Sequence, residues 1–290
     1  MLNLEGIGKK YKNDFWGVKE ISLELSPGII GLLGPNGAGK STLMRILATI
    51  TQPTEGRVTW KGQDLAKHPD ELRNVLGYLP QDFGVYPNLN AVEFLQYMAA
   101  VKGLSGNQVN KRIDELLELL NLTDARKRKI GGYSGGMKQR IGIAQALLND
   151  PKVLIIDEPT VGLDPEERMR FRNLLADLSG ERIIIFSTHI VSDIEATADR
   201  IVILSKSRLL ADAAPSQLLK QVEGKVWTTV IPEQHLQEVR SKWLISGSIR
   251  SEGGLQVRVV SEEAPSSLSI EAYPGLEDAY LYLRSGQRGA

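Results

Sequence analysis

The chain contains no cysteine. That excludes disulfides and thiolate metal centres, and it leaves the redox compartment unreadable from thiols. It has no surplus of charge: Lys plus Arg and Asp plus Glu stand at 35 each. No overall basic excess points to nucleic acid, and none is expected as a partner. No apolar run approaches the ~18–20 residues needed to cross a bilayer, so a membrane role requires a second chain. The opening Met1-Leu2-Asn3-Leu4-Glu5 lacks a basic region followed by an apolar segment, so no secretory leader is expected. Histidine is scarce, at His68, His189 and His235, and no internal repeat is visible. What remains is 290 residues of ordinary soluble composition, 42% hydrophobic and 24% charged, enough for one large domain and a small one.

Against that background one stretch stands out: Gly34-Pro35-Asn36-Gly37-Ala38-Gly39-Lys40-Ser41-Thr42. It fits the phosphate-loop pattern of Gly, four residues, then Gly-Lys-Ser. The apolar Ile29-Ile30-Gly31-Leu32-Leu33 before it reads as a buried strand, and Thr42–Ala48 after it reads as a helix. Strand, glycine loop and helix together form a cradle of backbone N–H groups for phosphates. Lys40 can then reach the β- and γ-phosphates, and Ser41 can ligate Mg²⁺.

A second signal lies at Val153-Leu154-Ile155-Ile156-Asp157-Glu158. An unbroken apolar run fits a strand buried in a parallel sheet, and this one ends in two carboxylates. Beside a phosphate loop, Asp157 can hold Mg²⁺ and Glu158 can polarise an attacking water as general base. Another buried strand, Arg182–Ser187, delivers His189 to a strand end, where an imidazole can meet a γ-phosphate. Gln81 follows the strand Val75–Pro80. Tyr11 is a candidate for stacking on an adenine, with Phe15 or Trp16 behind it, against an equal reading as a core or turn aromatic.

Residues 88–148 are helical in pattern. Ala91–Lys102 and Gln108–Leu120 carry helical periodicity, and Asn88 or Asn90 caps the first. The run Arg126-Lys127-Arg128-Lys129 reads as a solvated loop. Tyr133-Ser134-Gly135-Gly136-Met137-Lys138-Gln139-Arg140 leads into a helix expected over Ile141–Leu148, and its turn is a possible second anion site. Asp164 and Pro165 read as N-cap and first residue of a further helix. From about 225 onward short strands surround a helix over Glu233–Lys242, and a last amphipathic helix spans Gly275–Leu283. That region shows no titratable cluster of catalytic type.

The phosphate loop, Gln81, Tyr-Ser-Gly-Gly-Met, Asp157-Glu158 and His189 resemble, in order and spacing, the motifs of the ATP-binding cassette (ABC) ATPases. The resemblance covers residues 1 to about 220. Tyr133 stands where leucine is commonest and Met137 where glutamine is, a variant similar to a multidrug and antibiotic-exporter subgroup. The ending Tyr273–Leu281 also resembles the tail of that subgroup.

The resemblance implies an α/β fold: a P-loop NTPase, RecA-like core with an antiparallel β subdomain, an α-helical subdomain over about 88–150, and a small C-terminal α+β appendage over 225–290. It implies ATP and Mg²⁺ as ligands, with Tyr11 on adenine and Lys40 and His189 on phosphates. Ser41 and Asp157 would hold the metal, Gln81 would touch the metal or the attacking water within the segment that couples to the membrane partner, and Glu158 would be the base. Ser134, Gly135 and Gly136 would cap the ATP held by a second copy or a homologous ATPase subunit, with Asp164 at that interface. The family drives an integral-membrane permease, which sets the expected location at the cytoplasmic face of the cell membrane. A soluble ABC protein of translation or DNA repair, or a nucleotide-gated dimerisation module, is the alternative.

Overall fold

A computed structural model describes residues 1–286. The chain divides into two compact units, Met1–Leu209 and the residues from Leu210 onward.

The first unit opens with β1 (Leu2–Lys10), β2 (Trp16–Leu25), β3 (Gly28–Leu33), α1 (Lys40–Leu47), β4 (Glu55–Trp60) and β5 (Gln63–Asp64). It continues through α2 (Asp70–Arg73), β6 (Leu76–Leu79), α3 (Ala91–Val101), α4 (Asn107–Leu119) and α5 (Gly135–Leu147). It ends with β7 (Val153–Ile156), α6 (Pro165–Leu178), β8 (Ile183–Thr188), α7 (Val191–Glu195), β9 (Arg200–Ser205) and β10 (Arg208–Ala213), the last of which contains the boundary.

Two sheets organise these elements. One is antiparallel, of order β2-β1-β4-β5, and the other runs β10-β9-β3-β8-β7-β6. In the second, β3 pairs in parallel with both β8 and β9, and β7 pairs in parallel with both β8 and β6. All of β7 and β8 is buried, as unbroken Val/Ile/Leu runs require when both faces of a parallel sheet are covered. Parallel strands send all their C-terminal ends to one edge. Glu158 and His189 after β7 and β8, the phosphate loop after β3 and Gln81 after β6 therefore share a single rim. Leu2, Leu4, Ile7, Val18 and Ile21 of the antiparallel sheet pack into one core with Leu43, Met44 and Leu47 of α1 and with Ile30, Leu32, Ile155 and Ile185.

Between β6 and β7 lie α3, α4 and α5, the helical insertion. Asn90 caps α3, not Asn88: its Oδ1 accepts from Glu93 N–H at 3.0 Å, and its own N–H donates to Glu93 Oε2 at 2.9 Å. Helix α5 begins at Gly135, well before the expected Ile141, because Ser134 serves as its N-cap, accepting from Met137 N–H at 3.2 Å. Gln145 ties α5 to the sheet by donating to the Tyr78 carbonyl at 2.9 Å.

The second unit contains α8 (Pro215–Lys220), β11 (Val226–Ile231), α9 (Leu236–Lys242), β12 (Leu244–Ser251), β13 (Gly254–Val260), β14 (Ile270–Glu271) and α10 (Leu276–Gly286). Its antiparallel sheet has the order β12-β13-β11-β14. The units divide ahead of the break expected near 220–225, because α8 packs against α10 inside this second body. Asp278 on α10, 1% exposed, takes Arg258 of β13 at 2.7 Å and the Gly275 N–H at 2.7 Å. Burial pushes its carboxyl up, but hydrogen bonds from Arg258, Ser246 and the Gly275 backbone outweigh this and hold it below the usual range.

One half-buried cation crosses from the insertion to the strands. Lys102, just past α3, donates to Asn149 Oδ1 at 2.8 Å, and Asn149 donates in turn to the Leu76 carbonyl at 3.1 Å. Burial brings the Lys102 ammonium down to about 8, whereas an unfolded lysine titrates at about 10.4. Between those values the unfolded chain binds more protons, so this group makes stability rise with pH over that window. In urea unfolding at several pH values, the parent is expected to gain stability relative to Lys102→Met from pH 8 to 10. Parallel stability curves would remove Lys102 from this role.

Candidate active site

The rim of the parallel sheet holds a cavity of about 480 Å³, lined by Pro35, Asn36, Gly37, Gly39, Lys40, Ser41 and Thr42 from the loop and start of α1. Gln81, Glu158, His189, Phe15, Gly17 and Val161 complete it. The loop owes its shape to glycine. Gly39 is the N-cap of α1 with φ +103°, and a Cβ there would lie 2.2 Å from the Gly17 carbonyl. The first turn of α1 therefore points bare N–H groups into the cavity, an arrangement suited to an anion. Gly34 and Ala38 are buried behind the lining.

Lys40 is 6% exposed, and its ammonium is fully occupied. It donates to the Gly34 carbonyl at 2.7 Å and the Pro35 carbonyl at 3.3 Å, and it lies 3.3 Å from Glu158 Oε1. The other oxygen of Glu158 accepts from His189 Nδ1 at 2.9 Å. A carboxylate offers no proton, so this contact puts the imidazole proton on Nδ1 and leaves Nε2 for a further partner. Loop lysine, strand-end carboxylate and strand-end imidazole thus form one continuous chain from β3 through β7 to β8.

Glu158 sits at φ +50°, a left-handed conformation that costs a side-chain-bearing residue roughly 1–2 kcal/mol. Its backbone is held there by a buried hydroxyl: Glu158 N–H donates to Ser187 Oγ at 2.9 Å, and Ser187 Oγ–H donates to Asp157 Oδ1 at 2.5 Å. Asp157 is 3% exposed and sits one layer behind the cavity, with Glu158 in front. A second buried pair fixes the next turn, where Thr160 Oγ1 donates to Asp193 Oδ2 at 2.6 Å.

Among the aromatics, Phe15 lines the cavity, whereas Tyr11 stands beside it. The Tyr11 hydroxyl lies 3.5 Å from Thr42 Oγ1, and the two ring centroids are 6.5 Å apart. Ser134, Gly135 and Gly136 do not line this cavity. Ser134 and Gly135 are exposed, and Gly136 lines a separate pocket of about 50 Å³ between α5 and α6. There Arg140 reaches Glu167 at 3.3 Å. Glu167 N–H donates to Asp164 Oδ1 at 2.8 Å, which makes Asp164 the N-cap of α6. A Cβ on Gly136 would meet the Glu167 carboxyl carbon at 2.9 Å, so the first turns of α5 and α6 lie in close contact.

Sequence reasoning missed Ser187 and the Thr160–Asp193 pair. The available signal was a run of hydroxyl residues, Ser187-Thr188, closing an otherwise apolar strand. Among the described residues no set of three or more His, Cys, Asp or Glu is gathered for a metal ion. Asp157 and the Ser41 hydroxyl suit an ion that arrives with phosphate oxygens completing its shell.

A glycine loop between strand and helix, a buried lysine and an acidic pair on the neighbouring rim define a phosphate-loop NTPase. A family profile described as "ABC transporter" matches residues 18–161. YxlF, an ABC transporter ATP-binding protein of Bacillus subtilis, is 38% identical over 235 residues, 81% of this chain and 78% of its own length. The linearmycin resistance ATP-binding protein LnrL of the same organism is 35% identical, covering 83% of this chain and 79% of its own. The dimeric ABC transporter cassette MJ0796 superposes with a TM-score of 0.68 at 26% identity, over 74% of this chain and 98% of that one. A post-hydrolysis form of MJ0796 bound to ADP and Pi gives 0.67. The chain belongs to the ATP-binding proteins of ABC transporters, and it is an ATPase.

Ser187→Ala is expected to leave the Asp157 carboxylate and the Glu158 N–H without their buried partner, at a cost of about 1–3 kcal/mol. Urea unfolding and steady-state ATPase assays should show both lower stability and lower turnover. Unchanged values in both would detach the hydroxyl from the site.

Proposed function

We propose that this ATPase drives export through a separate membrane permease, working as a head-to-tail pair with a second copy or a homologous subunit at the cytoplasmic face of the cell membrane. The observation that carries the reading is the chain from buried Lys40 through buried Glu158 to the exposed His189 on the rim of the glycine loop. No helix among the described residues is long and apolar enough to cross a membrane, so a transporter containing this chain needs a partner that can. The names of two relatives, linearmycin resistance for LnrL and probable multidrug for YbhF of Escherichia coli, support export. The second unit, from Leu210 onward, serves as an accessory to the nucleotide-binding part over residues 1–209.

The chemistry follows from competition for Lys40. Triphosphate oxygens in the cradle draw the ammonium away from Glu158 Oε1, since a lysine prefers a doubly charged phosphate to a single carboxylate. Glu158, still oriented by His189, then accepts a proton from water. The water oxygen forms its bond to the γ-phosphorus as the bridging P–O bond breaks, giving ADP and phosphate. His189 Nε2 and Lys40 face the γ-phosphate, and the adenine stacks on the Tyr11–Phe15 pair. Ser41, Gln81 and Asp157 would hold Mg²⁺, which would neutralise phosphate charge. Ser134, Gly135 and Gly136 cap the nucleotide of the opposite copy, and Asp164 meets that copy beside them.

Glu158→Gln is expected to lower turnover by at least about 100-fold while ATP still binds, since the base is lost and the triphosphate itself compensates the Lys40 charge left without its carboxylate. Near-normal turnover would remove Glu158 from this role. Lys40→Ala is expected to weaken nucleotide binding by at least about tenfold, measured by fluorescent-nucleotide titration, and undiminished affinity would count against the loop. In the Glu158→Gln background, ATP is expected to convert monomer to dimer in sedimentation. Adding Ser134→Arg should abolish that conversion without loss of monomer binding, and a dimer that still forms would contradict the cap.

A further inference from the structure

The segment ahead of α5 carries two arginines in the run 126–129, and they are treated differently. Arg126 is paired with Asp114 at 2.5 Å. Arg128 has no carboxylate within ion-pair distance among the described residues, yet it is not a loose surface cation. Its guanidinium lies 5.2 Å from the Tyr133 ring centroid, and one nitrogen donates to Met137 Sδ at 3.0 Å. An aromatic face and a thioether hold the group in place without neutralising it. Tyr133 is itself fixed, 5% exposed with its hydroxyl donating to the Ala125 carbonyl at 2.8 Å. Met137 is the residue whose N–H Ser134 caps. The two positions where the Ser-Gly-Gly motif departs from leucine and glutamine are thus the two that grip one guanidinium beside Ser134. Among the described residues, the neighbours Lys127, Lys129 and Lys138 have no comparable contact fixing their ammonium groups.

The charge of the cavity indicates what such a group is for. Its only formally charged lining residues are Lys40 and Glu158, which cancel. Asp157 behind them adds a negative charge, and a metal-bound triphosphate remains an anion. A surface that closes over this cavity with neutral donors alone would bury net negative charge, which is costly. We infer that Arg128 is a further nucleotide-binding residue, reaching a triphosphate oxygen held by the opposite copy and supplying the cation that the Tyr133-Ser134-Gly135-Gly136-Met137 turn lacks. The inference rests on the head-to-tail pairing given under Proposed function. A guanidinium already held in place loses less freedom per hydrogen bond to phosphate than a mobile lysine does.

The test uses the full chain in the Glu158→Gln background, with ATP-driven dimerisation followed by sedimentation velocity. Arg128→Gln should raise the ATP concentration needed for half-dimerisation at least about tenfold, as expected for one lost charge-assisted contact. It should also flatten the salt dependence. Arg128→Lys should stay within about threefold of the parent and Lys129→Gln close to it, while affinity of the monomer for a fluorescent ATP analogue stays unchanged in all three. Three results would overturn the inference: parental dimerisation in Arg128→Gln; equal loss in Arg128→Gln and Lys129→Gln, which means diffuse charge; or loss in Arg128→Lys with a lower melting temperature, which means Arg128 only packs Tyr133 and Met137. A parent that remains monomeric with ATP fails earlier, at the pairing itself, and takes the Arg128 assignment with it.

Discussion

The contact between Lys40 and Glu158 is the constraint around which the rim is built. Both groups are 6% exposed in their side chains, and they lie 3.3 Å apart. Two charges buried that deeply are tolerated only when each is also hydrogen-bonded. Here the Gly34 and Pro35 carbonyls serve Lys40, and His189 serves Glu158. Removing either partner would strand a buried charge, so the loop after β3 and the acidic end of β7 are bound to one another. In the proposed reaction, a phosphate that takes the lysine releases the carboxylate.

The parallel sheet makes that contact possible. Strand β8 lies between β3 and β7, and its own C-terminal end supplies Ser187 and His189. Ser187 holds the backbone of Glu158 in its left-handed turn, and His189 holds its carboxylate, so one strand steadies Glu158 from both ends. The helical insertion contributes differently. It presents Ser134, Gly135 and Gly136 away from the chain's own cavity, in a first turn of α5 locked to α6 through Arg140, Glu167 and Asp164. The glycine-loop cavity and the Ser-Gly-Gly turn lie on separate surfaces of one chain, which is the physical basis of the proposed pairing.

Much of this was legible in the sequence, where the signal is local. The phosphate loop declares itself because glycine spacing, strand and helix all fall within one short window. Asp157, Glu158 and His189 were legible as strand ends because fully buried parallel strands are unbroken apolar runs. The contacts between those ends were not, since they depend on the strand order, which no single window contains. Helix α5 starts earlier than its glycines suggest, because the Ser134 cap draws Gly135 and Gly136, which read as a turn, into the helix. The sequence offers Tyr11 for an adenine with Phe15 or Trp16 behind it, and the structure sets Phe15 on the cavity lining with Tyr11 beside it, its hydroxyl 3.5 Å from Thr42 Oγ1. The grip of Tyr133 and Met137 on Arg128 was invisible for the same reason, because Arg126–Lys129 reads as four equivalent solvated charges. In the second unit β14 is only two residues long, too short to leave a pattern.

The most direct measurement exploits the absence of cysteine. Asn36 lies on the cavity lip, and Gly132, just before the Ser-Gly-Gly turn, has open space where a Cβ would go. Asn36→Cys and Gly132→Cys, each in the Glu158→Gln background, would be mixed and treated with a short bifunctional thiol reagent, with and without ATP and Mg²⁺. The account predicts cross-linked mixed dimers with nucleotide and almost none without it. Cross-linking that is absent in both conditions, or equal in both, would contradict the claim that one copy grips the triphosphate and the other covers it.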